Sequence, residues 1–249
     1  MRRPAISTTI AVLAAVSLVA CSDSGSPSTD GAVNFNLATR SAAPAVASTM
    51  ALADGTNTLV IDRIQLVLRE IELRRSASAS ACGASEHGDA CEKLEVGPVL
   101  LDLPLGGAGG AARSFGVTVA QGTYDEVEFE IHATSDADAS DAAFVQAHPE
   151  FARVSVKVSG SYNGTEFVYT SDLNAEQEIG LDPPLTIAGS TPTELTLFVD
   201  IDRWFRDGAG TLVDPGSANA GAVNENLVRA NIRSSLRAFE DEDHDGSDD

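Results

Sequence analysis

The chain closes on EDEDHDGSDD, in which Asp241, Asp243, Asp245 and Gly246 keep the D-x-D-x-D-G spacing that opens a calcium loop. Alternate carboxylates can turn towards one cation, and glycine permits the sharp turn between them. Ser247 offers a carbonyl and Asp249 a ninth-position ligand, while the loop's twelfth position falls beyond Asp249. Calcium takes about 6–8 oxygens, so this set predicts weak binding, in the ~10⁻⁴–10⁻³ M range of extracellular modules. The competing reading is an acidic tail solvated by water. A second acidic loop, SDADASDAA over 135–143, brings Asp136, Asp138 and Asp141 together without the glycine, and is the weaker calcium candidate. Asp200 and Asp202 put two carboxylates on one face of a strand end. There they can hold a metal, act as acid and base, cap the following turn, or meet Arg203 or Arg206. Trp204, beside Phe205, offers either a sugar-stacking platform or a core anchor.

Cys82 and Cys91 enclose GASEHGDA. With Cys21 assigned to the lipid attachment described next, they form one possible pair, and a disulfide there contributes roughly 2–3 kcal/mol. His87 between them suggests a Cys82–His87–Cys91 metal set, but the spacing matches no usual zinc pattern and lacks a fourth ligand. No G-x-S-x-G, H-E-x-x-H, phosphate-binding loop or dinucleotide fingerprint occurs. His87, His132, His148 and His244 are dispersed, with no neighbouring Ser or Cys to suggest a triad. The sequence therefore reads as non-enzymatic, a binding or structural protein with an unidentified protein or glycan ligand. The alternatives are an envelope glycan hydrolase using paired carboxylates and a carbohydrate-binding module built on Trp204.

The first 20 residues read as an export leader. Arg2 and Arg3 give the positive start, and AISTTIAVLAAVSLVA gives an apolar stretch too short to span a bilayer comfortably. Leu18-Val19-Ala20-Cys21 resembles the lipobox of bacterial lipoproteins. That resemblance implies diacylation of the Cys21 sulfur (palmitate and related chains), cleavage before it, and acylation of the new N-terminus. Two or more acyl chains hold stably where one does not. Ser22 in place of an aspartate leans towards the outer membrane of the cell envelope. Residues 21–32 are rich in Ser, Gly, Asp and Pro and read as a flexible tether. Beyond Arg2 and Arg3, 14 basic side chains face 37 acidic ones, a net charge of −23. That balance argues against nucleic acid and against an anionic membrane surface as partners of the folded domain, leaving the lipid as the membrane contact.

The elements that must position these residues are strands with small-residue loops between them. VNFNLATR alternates apolar and polar positions. In TLVIDRIQLVLREIELRR, Ile64, Leu66 and Leu68 share a face, and Ile71 and Leu73 resume one position out of phase, which predicts a bulge near Glu70. KLEVGPVLLDLPL gives a strand pair broken at Gly97-Pro98, and Gln121-Gly122 turns between two more strands. Past that turn, Val127, Phe129 and Ile131 point inward while Glu126, Glu128 and Glu130 face water. Asn163-Gly164 between two alternating runs is a type I′ hairpin signature. TELTLFVDIDRWF is a strand through Leu195, Leu197 and Val199. NENLVRANIRSSLRAFEDE reads as a helix capped by Asn224 or Asn226, with Leu227, Val228, Ile232, Leu236 and Phe239 on one side. The prediction is an all-β, antiparallel Greek-key β-sandwich over 33–239 with a C-terminal helix, followed by the acidic tail 240–249.

TLVIDRIQLVLREIEL, LLDLPLGG and VAQGTYDEVEFEIHA, in that order, are similar to segments of an uncharacterised bacterial lipoprotein family. The similarity spans 33–133. It implies a β-sandwich of transthyretin or carboxypeptidase-regulatory type and an envelope location. The family has no established activity to carry over.

Overall fold

The structure, a computed structural model, describes residues 30–40, 49–75, 93–94, 97–105, 114–189 and 191–240. Cys21, Cys82, Cys91, Asp241, Asp243, Asp245, Ser247 and Asp249 lie outside those residues, so the lipid-attachment, disulfide and tail-calcium readings fall outside them too. In chain order the strands are β1 (Asp30–Arg40), β2 (Met50–Ala53), β3 (Thr58–Arg75), β4 (Lys93–Leu94), β5 (Val99–Asp102) and β6 (Ser114–Ala120). They continue as β7 (Gly122–Ile131), β8 (Val156–Tyr162), β9 (Thr165–Ser171), β10 (Ala175–Ile187), β11 (Thr193–Asp200) and β12 (Leu236–Glu240). Two helices, α1 (Ala139–Ala147) and α2 (Glu225–Arg233), sit between strands.

These strands make the expected all-β sandwich. A small sheet runs β12-β11-β1-β6, and a large one is organised on β3 in the order β10-β7-β3-β8-β9, with β2, β4 and β5 also pairing to β3. One ladder departs from the antiparallel expectation: β1 and β11 run parallel, from Val33↔Thr193 to Arg40↔Asp200. β1 also begins at Asp30, so the last residues assigned to the tether are already paired, Asp30 opposite Ala120.

The 18-residue β3 explains the rest of the large sheet. Its Thr58–Leu66 half pairs with β8, and from Leu68 onward it pairs with β7. The handover falls at Val67, whose N–H donates to Ser155 O while its carbonyl accepts from His132 N–H. In an antiparallel ladder both polar groups of one residue lie on the same edge. β8 and β7 therefore meet end to end there. Three positions later the strand slips: Glu70 takes φ 52°, and the β3–β7 register shifts between Arg69 and Glu72. The bulge keeps Ile71 and Leu73 in the core and turns Glu72 and Arg74 outward. Each fully buried Leu, Ile or Phe contributes about 1.5–3 kcal/mol, so the slip protects two such contributions.

One apolar cluster fills the space between the sheets. It takes Ile64, Leu66 and Leu68 from β3, Val127, Phe129 and Ile131 from β7, and Leu195, Leu197 and Val199 from β11. Val67 points the other way. On the outer face it packs with Phe144 and Phe151, so α1 and the 3₁₀ turn at 149–151 cover the middle of β3 from outside. Asn163-Gly164 forms the expected hairpin, both residues at positive φ between the paired Tyr162 and Thr165.

Two expectations change near the C-terminus. The helix begins after Asn224 as expected but ends at Arg233, and Leu236–Glu240 joins β11 as strand β12. Leu236 and Phe239 fit a helical stripe, but β11 offers an open edge whose N–H and C=O groups need partners. The sequence also hid β10. Pro183 and Pro184 discourage a strand assignment, yet the ladder to β7 accommodates them as an irregularity between Gly180 and Leu185. Among the described residues, no helix is long and apolar enough to cross a membrane.

Candidate functional site

The chemistry-bearing side chains gather on the outer face of the large sheet, on both sides of α1. At the end of β7, His132 follows Glu130 by two positions and so shares its face. Its imidazole is 8% exposed. Asp141, in the first turn of α1 and fully buried, receives His132 Nε2 at 3.0 and 2.9 Å from its two oxygens. The same carboxylate accepts the Ser135 backbone N–H at 2.6 Å. A carboxylate only accepts, so Nε2 carries the hydrogen. Nδ1 is buried, makes no hydrogen bond, and stands 3.6 Å from Glu130 Oε2. That distance is too long for a hydrogen bond.

Local interactions fix α1 where Asp141 can do this. Asp138 caps the helix, accepting the Ser140 N–H at 2.8 Å, and Arg69 from β3 reaches the other Asp138 oxygen at 2.9 Å. The Ser140 hydrogen bonds, and then Arg69, hold the Asp138 carboxyl below its usual range. Thr134 Oγ1 donates to Phe151 O at 2.7 Å and accepts the Arg153 N–H at 2.9 Å, which ties the loop to the 3₁₀ turn. In the 135–143 segment Asp136 pairs with Arg153, Asp138 caps α1 and Asp141 turns inward to His132, so the three carboxylates are directed to three different partners.

Beyond His132 the sheet face is acidic. Cross-strand register places Glu176 opposite Glu130, and Glu178 and Glu72 on either side of Glu128. Arg74 supplies positive charge, meeting Glu126 at 2.8 Å and Glu128 at 3.0 Å. Glu128 does not face water as the alternation predicts; it is buried. Burial, followed by a hydrogen bond with Glu176, pushes its carboxyl up to about 7, while Arg74 works in the opposite direction. No three His, Cys, Asp or Glu side chains are already drawn together as a metal cluster among the described residues.

On the other side of α1 lies an open groove of about 690 Å³, lined by Arg63, Gln65, Asp102, Phe144, His148 and Glu150 among others. Arg63 makes a two-pronged ion pair with Asp102, at 2.7 and 3.1 Å, but both side chains are about half exposed, so it contributes little to stability. His148 packs on Phe144 with ring centroids 4.9 Å apart. The groove thus offers a guanidinium, carboxylates, an imidazole and an aromatic ring, a lining suited to a small polar ligand or a peptide side chain.

The residues singled out from the sequence lie elsewhere. Asp200 ends β11, and its Oδ1 accepts the Asp202 N–H at 3.2 Å, so it caps the turn. The Asp202 carbonyl accepts from Arg206 Nε at 3.0 Å. Trp204 is no stacking platform: it is wholly buried, and its indole N–H donates to Ser235 Oγ at 2.8 Å. Asn231 of α2 secures that turn by donating to the carbonyls of Arg203, Trp204 and Arg206. The His132–Asp141 pair was not legible as a pair, since its members belong to a strand end and a helix start. The one signal was a histidine on the acidic face of an alternating strand, followed by a carboxylate-rich loop.

No protein-family model matches the chain, and no curated protein sequence does. Among solved structures, MbnP from Methylosinus trichosporium is similar at 12% identity over 72% of this chain and 78% of that one, with a TM-score of 0.35. A likeness at that score supports no inference about function.

Proposed function

We propose that this chain is a lipid-anchored cell-envelope protein that displays its β-sandwich as a binding domain rather than as a catalyst. The observation that carries the reading is the Leu18-Val19-Ala20-Cys21 leader end, set a short polar segment ahead of β1. Two or more acyl chains on Cys21 would hold the protein on the bilayer without a spanning helix. The groove beside α1 is the surface assigned to ligand, and its mixed lining suits a polar protein segment or glycan. The acidic tail adds weak calcium binding through Asp241, Asp243, Asp245, Ser247 and Asp249.

The test is mass spectrometry of the native N-terminus together with fractionation of Cys21→Ala. An acylated Cys21 and a variant that leaves the membrane fraction support the reading; an unmodified N-terminus with unchanged fractionation refutes it. For calcium, a raised melting temperature at millimolar Ca²⁺ that disappears in Asp243→Asn is the expected result. No shift in the parent chain removes calcium from the account.

A further inference from the structure

We propose that His132 and Glu130 form the core of a binding site for a divalent transition-metal ion of the zinc class, completed by Glu176 and water. The first support is the state of the imidazole. Metal-bound histidines almost always donate their second ring N–H to a carboxylate or carbonyl, which fixes the tautomer and raises ligand basicity. His132 has that arrangement, with Nε2–H directed at both oxygens of a fully buried Asp141 that Ser135 N–H also holds. Nδ1, the ring nitrogen left over, is buried and without a hydrogen bond, and whenever the ring is neutral it carries the lone pair. An unpaired buried acceptor is costly, and a cation there removes the cost.

The second support is spacing. Zinc binds imidazole nitrogen and carboxylate oxygen at about 2.0–2.2 Å, so two ligands at tetrahedral angles stand roughly 3.3–3.6 Å apart. Nδ1 and Glu130 Oε2 are 3.6 Å apart, too long for a hydrogen bond and suited to a shared ion. Third, Glu176 lies directly across the ladder from Glu130 and is exposed, its carboxyl shared in a hydrogen bond with Glu128 that metal binding would exchange for the ion. Cross-strand neighbours have Cβ atoms about 4.5–5.5 Å apart, which lets a rotamer change bring its carboxylate to the same ion. The nearest guanidinium in register, Arg69, is drawn away by Glu70 and Asp138 at 2.8 and 2.9 Å. The imidazole, carboxylate and water set suits zinc and its neighbours better than calcium, which prefers oxygen alone.

The competing arrangement is a metal-free clamp in which His132 is an imidazolium between Asp141 and Glu130. Full-length protein stripped with a chelator is titrated with Co²⁺ and then Zn²⁺, following cobalt absorption and melting temperature, with Glu130→Gln and Asp141→Asn alongside. The expected result is a cobalt spectrum with imidazole ligation, displaced by Zn²⁺, with Zn²⁺ affinity weakened about 10–100-fold in each variant. Glu130 is part-exposed, so Glu130→Gln retains the fold. Nitrogen NMR of the imidazole gives the second readout: Nδ1 should lose its neutral, unligated signature when Zn²⁺ is added. Parent and Glu130→Gln chains with equal Zn²⁺ affinity, or an Nδ1–H that persists at saturating Zn²⁺, would overturn the proposal.

Discussion

Replacing Glu128 with Gln should make the protein more stable at alkaline pH and change little in acid. The Glu128 side chain is 11% exposed, lies between Glu72 and Glu178 in the two ladders, shares a hydrogen bond with Glu176, and has Arg74 as its cation. Its carboxyl is pushed from 4.5 to about 7, with burial the largest cause. The fold therefore holds this proton more tightly than the unfolded chain does. Across about pH 4.5–7 the native state carries more protons, and stability falls as pH rises through that window. At about 1.36 kcal/mol per pH unit, the full displacement corresponds to roughly 3 kcal/mol of lost stability above pH 7. Glutamine keeps the shape without the charge. Urea unfolding followed by Trp204 fluorescence, from about pH 4 to about pH 8.5, should show the variant and parent diverging by about 2–3 kcal/mol, with the variant more stable at the alkaline end. If the stability difference stays constant across that window, burial does not govern Glu128 and the reasoning fails.

Two further substitutions probe the frame that carries the site. A Cβ on Gly160 would lie 2.0 Å from the Val60 carbonyl oxygen, a backbone atom that cannot swing aside. Gly160→Ala should destabilise by at least about 1–3 kcal/mol in denaturant melts, and a neutral result would mean β3 and β8 pair more loosely than described. Trp204 should emit in the blue and resist quenching by iodide, and Trp204→Ala should cost about 3–5 kcal/mol by the same melts. Ready quenching would place the indole at the surface and restore the platform reading.

How far the sequence could be read depended on where each constraint acts. The slip at Glu70 was visible because two alternating runs share one strand and only a bulge reconciles them. The Asn163-Gly164 turn was visible because few other dipeptides take positive φ at both positions. β12 reads locally as helix because Leu236 and Phe239 satisfy a helical stripe as well as a strand, and the decisive factor, the open edge of β11, is remote in sequence. β10 is hidden because its two prolines speak against a strand locally while the ladder to β7 tolerates them. For the site, alternation identified the face bearing Glu126, Glu128 and Glu130 but not the burial of Glu128. It also had no means of pairing His132 with Asp141, since that contact depends on where α1 docks against Val67.

The parallel union of β1 with β11 sets the order in which the domain can be finished. Asn34 Nδ2 reaches Glu194 Oε1 at 2.7 Å across 160 positions of chain. During synthesis β1 emerges first, β6 follows, and its other neighbour, β11, arrives only after the whole large sheet. Until Thr193–Asp200 is delivered, that side of β1 is a bare row of amide groups open to whatever strand comes near. A fragment stopping short of Thr193 would retain the whole β3 scaffold and still expose an adhesive flank. Premature termination in that interval should therefore yield clumping rather than a smaller soluble domain, making β11 and the β12 strand paired to it the part of the chain that closes the small sheet.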